Sequence, residues 1–314
     1  MMEMGMEKWD LVVIGAGPAG LTAGIYSARS GLKTLILEKG SAGGALNEIP
    51  WIENYPGFSD GVSGQELAER LVSQCKKFGA RIQEFEETIR IDVGYEEKVV
   101  KTDKGAYPTE AIIIASGSRH RRLNVPGERE LEGKGVSYCA LCDGPLFRNL
   151  RVLVVGGGNT AAVSALYLFD LGAKVFLAHR RKYLRADEIY TKEISNKGIE
   201  VLWNTEVKEI IGENKVRGVV LYNNETKKEF TLDVDGIFIL IGEVPNSEFA
   251  KASGIKVNEE GYIIVDVFQR TNVPGIYAAG DVTTHPIKQI GSAVGQAITA
   301  AVEAYRHVKK PYYA

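Results

Sequence analysis

Residues 11–20 read Leu11-Val12-Val13-Ile14-Gly15-Ala16-Gly17-Pro18-Ala19-Gly20, and they are the most informative part of the sequence about the fold. An apolar strand runs into a glycine-rich turn, and a helical stretch over 21–30 begins directly after it. A second apolar strand covers 34–37 and is followed by Glu38. Strand, glycine turn, helix, strand and acid in this order predict a dinucleotide-binding unit at the start of an α/β fold.

Each glycine of the turn has a separate function in such a unit. Gly15 permits the tight turn, Gly17 lets a pyrophosphate approach the backbone, and Gly20 lets the helix pack closely on the strand. The helix N-terminus offers its N–H groups and the positive end of its dipole to the phosphates. Glu38 can accept hydrogen bonds from a ribose diol, and its charge repels a 2′-phosphate. The first unit is therefore predicted to bind an adenine dinucleotide without a 2′-phosphate.

The same pattern returns in the middle of the chain. Residues 152–161 read VLVVGGGNTA, and a helical stretch and a second strand follow. The register matches, because Gly15 to Glu38 spans 23 positions (38 − 15) and Gly156 to His179 also spans 23 (179 − 156). The chain is therefore predicted to contain two nucleotide-binding units.

Basic residues stand where the first unit has its acid. His179, Arg180 and Arg181 take this position in the second unit, and Arg185 follows soon after. Arginines suit a 2′-phosphate through charge-assisted and often bidentate bonds, so the second unit is predicted to bind NADPH. The alternative is an ordinary solvated basic stretch at a strand end.

Cys139 and Cys142 form a C-x-x-C pair just before the second unit. This spacing fits a reversible disulfide, and a helix N-terminus at such a pair can lower the pKa of a thiol. The alternative is half of a zinc site, but a structural zinc needs four ligands with related spacing, and the sequence has no second C-x-x-C. No metal is therefore predicted, and four thiolates shared between two subunits are the one zinc arrangement left open.

An acid stands beside this pair, and a third cysteine stands far from it. Asp143, next to the second sulfur, is a candidate proton donor, because disulfide reduction produces thiolates that need protons. A helix N-cap is its alternative role, and both roles can hold together. Cys75 lies in a helical stretch over 65–78 and is predicted to be a small buried structural residue.

Length and composition set the broad class. A chain of 314 residues suggests about two domains, and a net charge of −2 without a basic surplus predicts no nucleic-acid partner. The longest apolar runs are too short to span a bilayer, and residues 1–8 lack the apolar core of a signal peptide. We therefore expect a cytoplasmic protein with no membrane partner.

From about residue 9 to residue 301 the chain resembles the low-molecular-weight thioredoxin reductases, which are pyridine nucleotide–disulfide oxidoreductases. The C-x-x-C-D at 139–143, between two dinucleotide units, is the most specific part of the match, because low-molecular-weight ferredoxin–NADP reductases share the fold but lack the pair. The other matching motifs follow in the order of the family: Gly43-Gly44, Glu53-Asn54-Tyr55-Pro56-Gly57, Ala115-Ser116-Gly117, Val125-Pro126-Gly127-Glu128, Gly242 with Pro245-Asn246, Val273-Pro274-Gly275 and Ala278-Ala279-Gly280-Asp281.

The resemblance implies two Rossmann-like domains, one inserted into the other. A discontinuous FAD domain would comprise 1–117 and 246–314, and an NADPH domain carrying the redox C-x-x-C would comprise 118–245. The family rotates the inserted domain during catalysis, and the crossings near Gly117 and Gly242 would carry that motion.

The resemblance and the two glycine turns together give the expected binding residues. Those expected to bind FAD are Gly15, Gly17, Pro18, Ala19, Gly20, Glu38, Lys39, Gly44, Ala45, Asn54, Ala115, Gly117, Gly280, Asp281, Lys288, Gln289 and Ile290. Those expected to bind NADPH are Gly156, Gly158, Asn159, Thr160, Ala161, His179, Arg180, Arg181 and Arg185. A helical stretch over 292–306 would direct its N-terminus at the flavin ring.

Several positions depart from the commonest family pattern. Ala45 stands where Gln often follows the glycine pair, and Lys288 stands where Arg is usual. Asn159-Thr160 replaces Asp-Ser, and Ser164 replaces a usual Glu. The changes at 159–164 bear on the nicotinamide-side contacts, and some archaeal relatives use a donor other than NADPH.

The resemblance implies the reaction. Electrons would pass from NADPH through FAD to the Cys139–Cys142 disulfide, with Cys142 nearer the flavin and Cys139 attacking the acceptor. The acceptor would be thioredoxin or a glutaredoxin-like protein disulfide, and the protein would be a homodimer. Two other functions stay open: an NADPH-dependent flavoprotein reductase serving ferredoxin, oxygen or a peroxide-reducing system, and a non-catalytic redox-sensing or metal-linked protein.

Overall fold

The computed structural model describes residues 7–49, 51–94 and 97–310. The chain divides into two compact units, the first formed by Met1–Arg119 with Val244–Ala314 and the second by His120–Glu243. The second unit is thus inserted into the first, and the predicted α/β class is confirmed. At each crossing the division lies two residues from the boundary expected from the sequence.

The elements of the first segment begin with the predicted strand, turn and helix. In chain order they are β1 Trp9–Ile14, α1 Pro18–Arg29, β2 Thr34–Leu37, α2 Gly64–Lys77, β3 Arg81–Gln83, β4 Thr88–Val93, β5 Lys98–Thr102, β6 Ala106–Ile114 and β7 Ser118–His120. Helix α1 starts three residues earlier than the sequence suggested, because proline is well accommodated in the first turn of a helix.

The inserted unit and the last segment complete the chain. The inserted unit contains β8 Val136–Ser137, α3 Ala140–Asp143, β9 Arg151–Gly156, α4 Asn159–Asp170, β10 Lys174–His179, α5 Glu188–Asn196, β11 Glu200–Trp203, β12 Thr205–Gly212, β13 Val216–Asn223, β14 Lys228–Leu232 and β15 Gly236–Leu240. After the second crossing follow β16 Glu243–Pro245, α6 Glu248–Ala252, β17 Ile276–Ala278 and α7 Ile290–Lys309.

The sheet of the first unit has the strand order β3-β2-β1-β6-β5-β4, and β17 pairs with the carboxyl-terminal part of β6. Strands β1, β2, β3, β6 and β17 are parallel to one another, so their carboxyl ends meet at one edge. Strand β1 is buried between its neighbours, with Val12 and Val13 fully covered. Helices α1 and α7 pack together over one face of this sheet.

The second unit has a smaller parallel sheet with the order β11-β10-β9-β15-β8. A separate antiparallel sheet, β12-β13-β14, packs its apolar side chains into the same core. Helix α4 covers the other face through Ala161, Ala165 and Leu168. The carboxyl ends of β8, β9, β10 and β15 therefore lie along one edge, and ligands of open α/β sheets bind at such edges.

The chain passes between the units through β7 and β16, which pair with each other. On the first-unit side, the Ser116 hydroxyl donates to Asn246 O at 2.7 Å, and the Asn246 amide donates back to Ser116 O at 2.9 Å. Gly117 and Gly242 both have positive φ, at +67° and +106°, which favours glycine. Their role as hinges stays a prediction.

Candidate functional site

The glycine turn of the first unit is built by close backbone approach. A Cβ on Gly15 would overlap the carbonyl oxygen of Ala115, and a Cβ on Gly20 would overlap that of Gly15. Gly17 is different, because a Cβ there would meet nothing within 4 Å. Gly17 is also the N-cap of α1 and, as a glycine, has no side chain to bond the free N–H groups of the first turn. The open space at the N-terminus of α1 therefore suits a phosphate group.

Glu38 stands directly after β2 at the same edge. Its carboxylate accepts the Ala16 N–H at 2.7 Å and the Gly40 N–H at 2.9 Å. These two bonds hold the carboxylate beside the glycine turn, and each oxygen has a second lone pair available. The acid is thus positioned to accept a ribose hydroxyl.

Other residues expected at this site converge on the same turn. Gly44, with φ +55°, lies so close to Gly17 that its Cβ would be 3.0 Å from the Gly17 Cα. Gly280, with φ +80°, would place its Cβ 3.0 Å from the Cβ of Ala19. The structure thus brings together segments that are more than 200 positions apart in the sequence.

The amino end of α7 forms the remaining side of this site. Gln289 is its N-cap and forms a capping box with Ser292. The Asn54 amide donates to the Gln289 side chain at 3.2 Å. Lys288 donates to the carbonyl oxygens of Asp281 and Thr283, at 3.1 and 2.6 Å. The lysine that replaces the usual arginine therefore braces the turn that carries Asp281.

The second unit repeats this design with changes. A Cβ on Gly156 would overlap the carbonyl oxygen of Leu240 and would lie 2.6 Å from the Ala161 Cβ. Gly158 is the N-cap of α4 and has no side chain to bond the first turn of that helix. A Cβ on Gly158 would meet nothing within 4 Å. Gly158 is thus the counterpart of Gly17, and the N-terminus of α4 is likewise open to a phosphate.

His179 differs from the arginines that follow it. It is buried, and its ring lies against Gly157, where an added Cβ would overlap it. Burial lowers the pKa of the imidazole, and the nearby positive charges of Arg185, Arg181 and Arg180 lower it further. An uncharged ring that packs the glycine turn is a poor phosphate ligand. The exposed arginines that follow are the residues of this cluster that carry a charge suited to an anionic group.

The arginines sit on a loop that is fastened to the glycine turn. Arg180, Arg181 and Arg185 are all exposed. The Arg185 backbone N–H donates to Gly157 O at 2.6 Å. The Asn159 side chain donates to Asp187 at 2.9 Å and accepts the Asp187 N–H at 2.8 Å. The basic loop is therefore held beside the start of α4, where Thr160 is exposed.

Cys139 and Cys142 form a disulfide, with their Cα atoms 5.3 Å apart. Cys139 is the N-cap of α3, and its sulfur accepts the Cys142 N–H at 3.1 Å. Both cysteines follow the carboxyl end of β8. The disulfide thus lies along the same sheet edge as the glycine turn of this unit.

Asp143 is the last residue of α3 and also stands at the N-cap position of the turn that follows, so the helix-cap alternative holds for its position in the chain. It precedes a 3₁₀ turn over Gly144–Phe147 without making a side-chain cap bond. Its carboxyl instead accepts the Ser137 hydroxyl at 2.6 Å. Burial raises the pKa of Asp143, and the Ser137 bond opposes this increase. A carboxyl with a raised pKa keeps its proton nearer neutral pH and suits a proton donor.

Cys75 has the structural role expected from the sequence. It is fully buried, and its thiol donates to Leu21 O at 3.0 Å. Burial raises the pKa of the thiol to about 12. The thiol therefore stays protonated and unreactive at neutral pH.

Three residues of these sites were not predicted from the sequence. Gln296, buried on α7, accepts the Gly280 N–H at 3.0 Å and the Thr283 hydroxyl at 3.1 Å, and so holds the turn before Asp281. The sequence signal that could have identified Gln296 is that it is a single amide side chain among the alanines of α7. Asp187 and Ser137 gave none, because their partners depend on how distant loops fold together.

The described residues contain neither a metal cluster nor a membrane span. Within 7–49, 51–94 and 97–310, no group of three or more His, Cys, Asp and Glu side chains could hold a metal ion. In the same ranges, no helix is both long and apolar enough to cross a bilayer.

A family model for pyridine nucleotide-disulphide oxidoreductases matches residues 9–297. The chain belongs to this family. The thioredoxin reductase of Bacillus subtilis is 42% identical over 310 residues, which cover 98% of this chain and 97% of that protein. A "34.2 kDa protein in rubredoxin operon" from Clostridium pasteurianum is 39% identical over 303 residues, 96% of this chain and 98% of that protein.

Solved structures agree with the sequence relatives. The crystal structure of thioredoxin reductase from Streptococcus pyogenes matches with a TM-score of 0.92 and 39% identity, covering 97% of this chain and 99% of that one. The resemblance to low-molecular-weight thioredoxin reductases is thereby confirmed, as is the pair of Rossmann-like units. The chain is an oxidoreductase that uses a flavin and a pyridine nucleotide.

The contrast between Gly17 and Gly20 gives a direct test of the first-unit site. Gly17→Ala should leave the free energy of unfolding of the flavin-free protein unchanged within about 0.5 kcal/mol, because the added methyl has space. It should weaken flavin binding about tenfold or more, because the methyl occupies the phosphate space. Flavin absorbance during titration and urea unfolding measure the two effects.

Gly20→Ala is the matched comparison. Its methyl would overlap the Gly15 carbonyl oxygen, so we expect a loss of about 3 kcal/mol or more in unfolding free energy. If the two variants were equally stable and equally weak in flavin binding, the assignment of Gly17 to the phosphates would be wrong.

Proposed function

We propose that the protein is an NADPH-dependent thioredoxin-disulfide reductase. In this proposal FAD binds to the first unit and NADPH to the second, and electrons leave through Cys139 and Cys142 to thioredoxin or a glutaredoxin-like protein disulfide. The observation that carries it is the disulfide beside the half-buried carboxyl of Asp143, at the sheet edge that also holds the second glycine turn. The thioredoxin reductase relatives support the same reaction.

The residues present fit the two cofactors. Gly17 and Gly158 leave open space at the N-termini of α1 and α4, and a Cβ at either position would project into it. At the first turn, Glu38 suits an unphosphorylated ribose. At the second, Arg180 and Arg181 suit a 2′-phosphate. When bound, NADPH and FAD supply the electron pair that opens the disulfide.

The chain's own residues then perform the thiol chemistry. The Cys139 thiolate attacks the acceptor disulfide, forms a mixed disulfide with it and releases one acceptor thiolate. Asp143 supplies a proton to that leaving sulfur. Cys142 then attacks Cys139, which releases the second acceptor thiol and restores the Cys139–Cys142 disulfide. One disulfide is reduced in the acceptor and one is formed in the enzyme, so the step balances.

The proposal includes the cytoplasm as its location and a homodimer as its assembly. Both follow from the resemblance to the family. The cytoplasmic location is consistent with a reversible disulfide, which a reducing compartment would keep catalytic rather than structural.

Serine variants of the cysteines test the proposed reaction. In Cys139→Ser and Cys142→Ser, we expect NADPH-driven reduction of thioredoxin to fall by about a thousandfold or more, because each sulfur is needed for the exchange. Reduction of ferricyanide, which can accept electrons without the disulfide, should stay within about twofold of the unsubstituted protein. Cys75→Ala is the matched control and should leave the ratio of the two activities unchanged.

The opposite result would favour the other flavoprotein function. If both serine variants kept full activity toward the protein acceptor, the cysteines would be incidental. The protein would then be a flavoprotein reductase for ferredoxin or a peroxide-reducing system.

The arginine loop gives a prediction about the electron donor. Arg180→Ala together with Arg181→Ala should lower kcat/KM for NADPH about tenfold to a hundredfold and change that for NADH little, because each lost bond is charge-assisted. Stopped-flow flavin reduction with both donors gives the ratio. Arg217→Ala, at an exposed position on β13, is the control. Faster reduction of the unsubstituted protein by NADH would contradict the assignment of these arginines to NADPH.

A further inference from the structure

Ser137 is the residue that connects the disulfide to its candidate acid. It ends β8 and is only 4% exposed. Its hydroxyl lies 2.6 Å from Asp143 Oδ2, accepts the Cys139 N–H at 3.1 Å, and lies 3.3 Å from Cys139 O. Three polar groups around the redox pair thus share one buried hydroxyl.

This arrangement fits both protonation states of Asp143. When Asp143 is ionised, the Ser137 hydroxyl donates to the carboxylate and accepts the Cys139 N–H. When Asp143 is protonated, the carboxyl can donate to Ser137 Oγ, and the hydroxyl can turn its proton to Cys139 O. Neither state leaves the serine hydroxyl without a donor or an acceptor, and an unmade bond of a buried group is costly.

We infer that Ser137 is a positioning residue for proton transfer at the Cys139–Cys142 pair. Its hydroxyl holds the Asp143 carboxyl against the Cys139 backbone throughout the change from acid to carboxylate. The inference rests on the proposed function, because it assigns a task within the same thiol–disulfide exchange.

The proton balance of the exchange closes when Asp143 acts as such a carrier. As the Cys139 thiolate attacks, the acceptor S–S bond breaks and the leaving thiolate takes the Asp143 proton. The carboxylate is then held by the Ser137 hydroxyl. The Cys142 thiol returns a proton to Asp143 as it attacks Cys139, and the last acceptor thiolate is protonated by solvent. Asp143 thus ends the cycle in the state in which it began.

Among the residues that the structure describes, two cysteines and two tyrosines lie near Asp143 in its own unit. Cys142 lies on the same short helix, and Cys139 is the N-cap of that helix. Tyr167 of α4 packs beside Gly144, the residue after Asp143, where a Cβ would lie 3.1 Å from the tyrosine ring. Tyr138, next to Ser137, donates its phenol to Glu128 at 2.8 Å. Burial and the Ser137 bond are the two causes that shift the pKa of Asp143.

The test compares Ser137→Ala with Ser137→Thr. Ser247→Ala is the control, because Ser247 is also buried and donates to a backbone carbonyl, that of Gly261, in the first unit. Each variant is assayed with NADPH from acid to alkaline pH. One assay uses a thioredoxin disulfide, and the other uses ferricyanide.

In Ser137→Ala we expect kcat with the protein disulfide to fall about tenfold, since a misplaced general acid loses part of its effect. A general acid is active while protonated, so the rate falls as pH rises through its pKa. Removing a bond that stabilises the carboxylate raises that pKa, so the alkaline limb should move to higher pH. Ser137→Thr should restore both properties, and ferricyanide reduction should stay within about twofold.

Two results would overturn the inference. One is a pH profile and rate equal to those of Ser247→Ala. The other is a parallel loss of ferricyanide reduction, which would show general damage to the fold or to cofactor binding.

A second measurement separates this inference from the proposed function. If the unsubstituted protein reduced no protein disulfide, the proposed function would fail, but Ser137 could still be tested without cofactors. Alkylation of the dithiothreitol-reduced protein by iodoacetamide reports the thiolate fraction at each pH. The pH at which ionisation of Asp143 changes the alkylation rate should be higher in Ser137→Ala than in the unsubstituted protein. An unchanged profile of alkylation rate against pH would overturn the positioning role.

Discussion

The structure depends on how closely a helix can approach the end of a buried parallel strand. In the first unit, α1 starts so near β1 that Gly20 has no space for a Cβ beside Gly15. In the second unit, the corresponding constraint falls on Gly156, which meets Leu240 and Ala161. This approach directs a helix N-terminus at the sheet edge where ligands bind, and Gly17 and Gly158 keep that space open.

The strand–turn–helix arrangement occurs in both units, but the charged residues beside the turn differ between them. Glu38, fixed by two backbone N–H groups, makes the first edge acidic. The loop with Arg180 and Arg181 makes the second edge basic, and Asn159 fastens that loop through Asp187. The second edge also carries the disulfide after β8. Nucleotide binding and thiol chemistry are therefore combined in one inserted unit.

The sequence could predict the parts of the fold that arise from local pattern. The two glycine turns, their helices and the buried Cys75 follow from spacing and apolar periodicity, and the insertion came from the family resemblance. Long-range side-chain contacts could not be predicted in this way. The burial of His179 depends on the ring fitting under Gly157, and the bond from Ser137 to Asp143 depends on the path of α3.

The proposed reduction of a protein acceptor depends on the transfer of electrons from a bound flavin to the Cys139–Cys142 disulfide. Anaerobic titration of the purified protein with dithionite, followed by flavin absorbance, counts the electrons that each chain accepts. A flavin and a disulfide together should accept about four electrons per chain, two for each group. Uptake of about two electrons would mean that the disulfide accepts none, and electrons could not then reach a protein acceptor through Cys139 and Cys142.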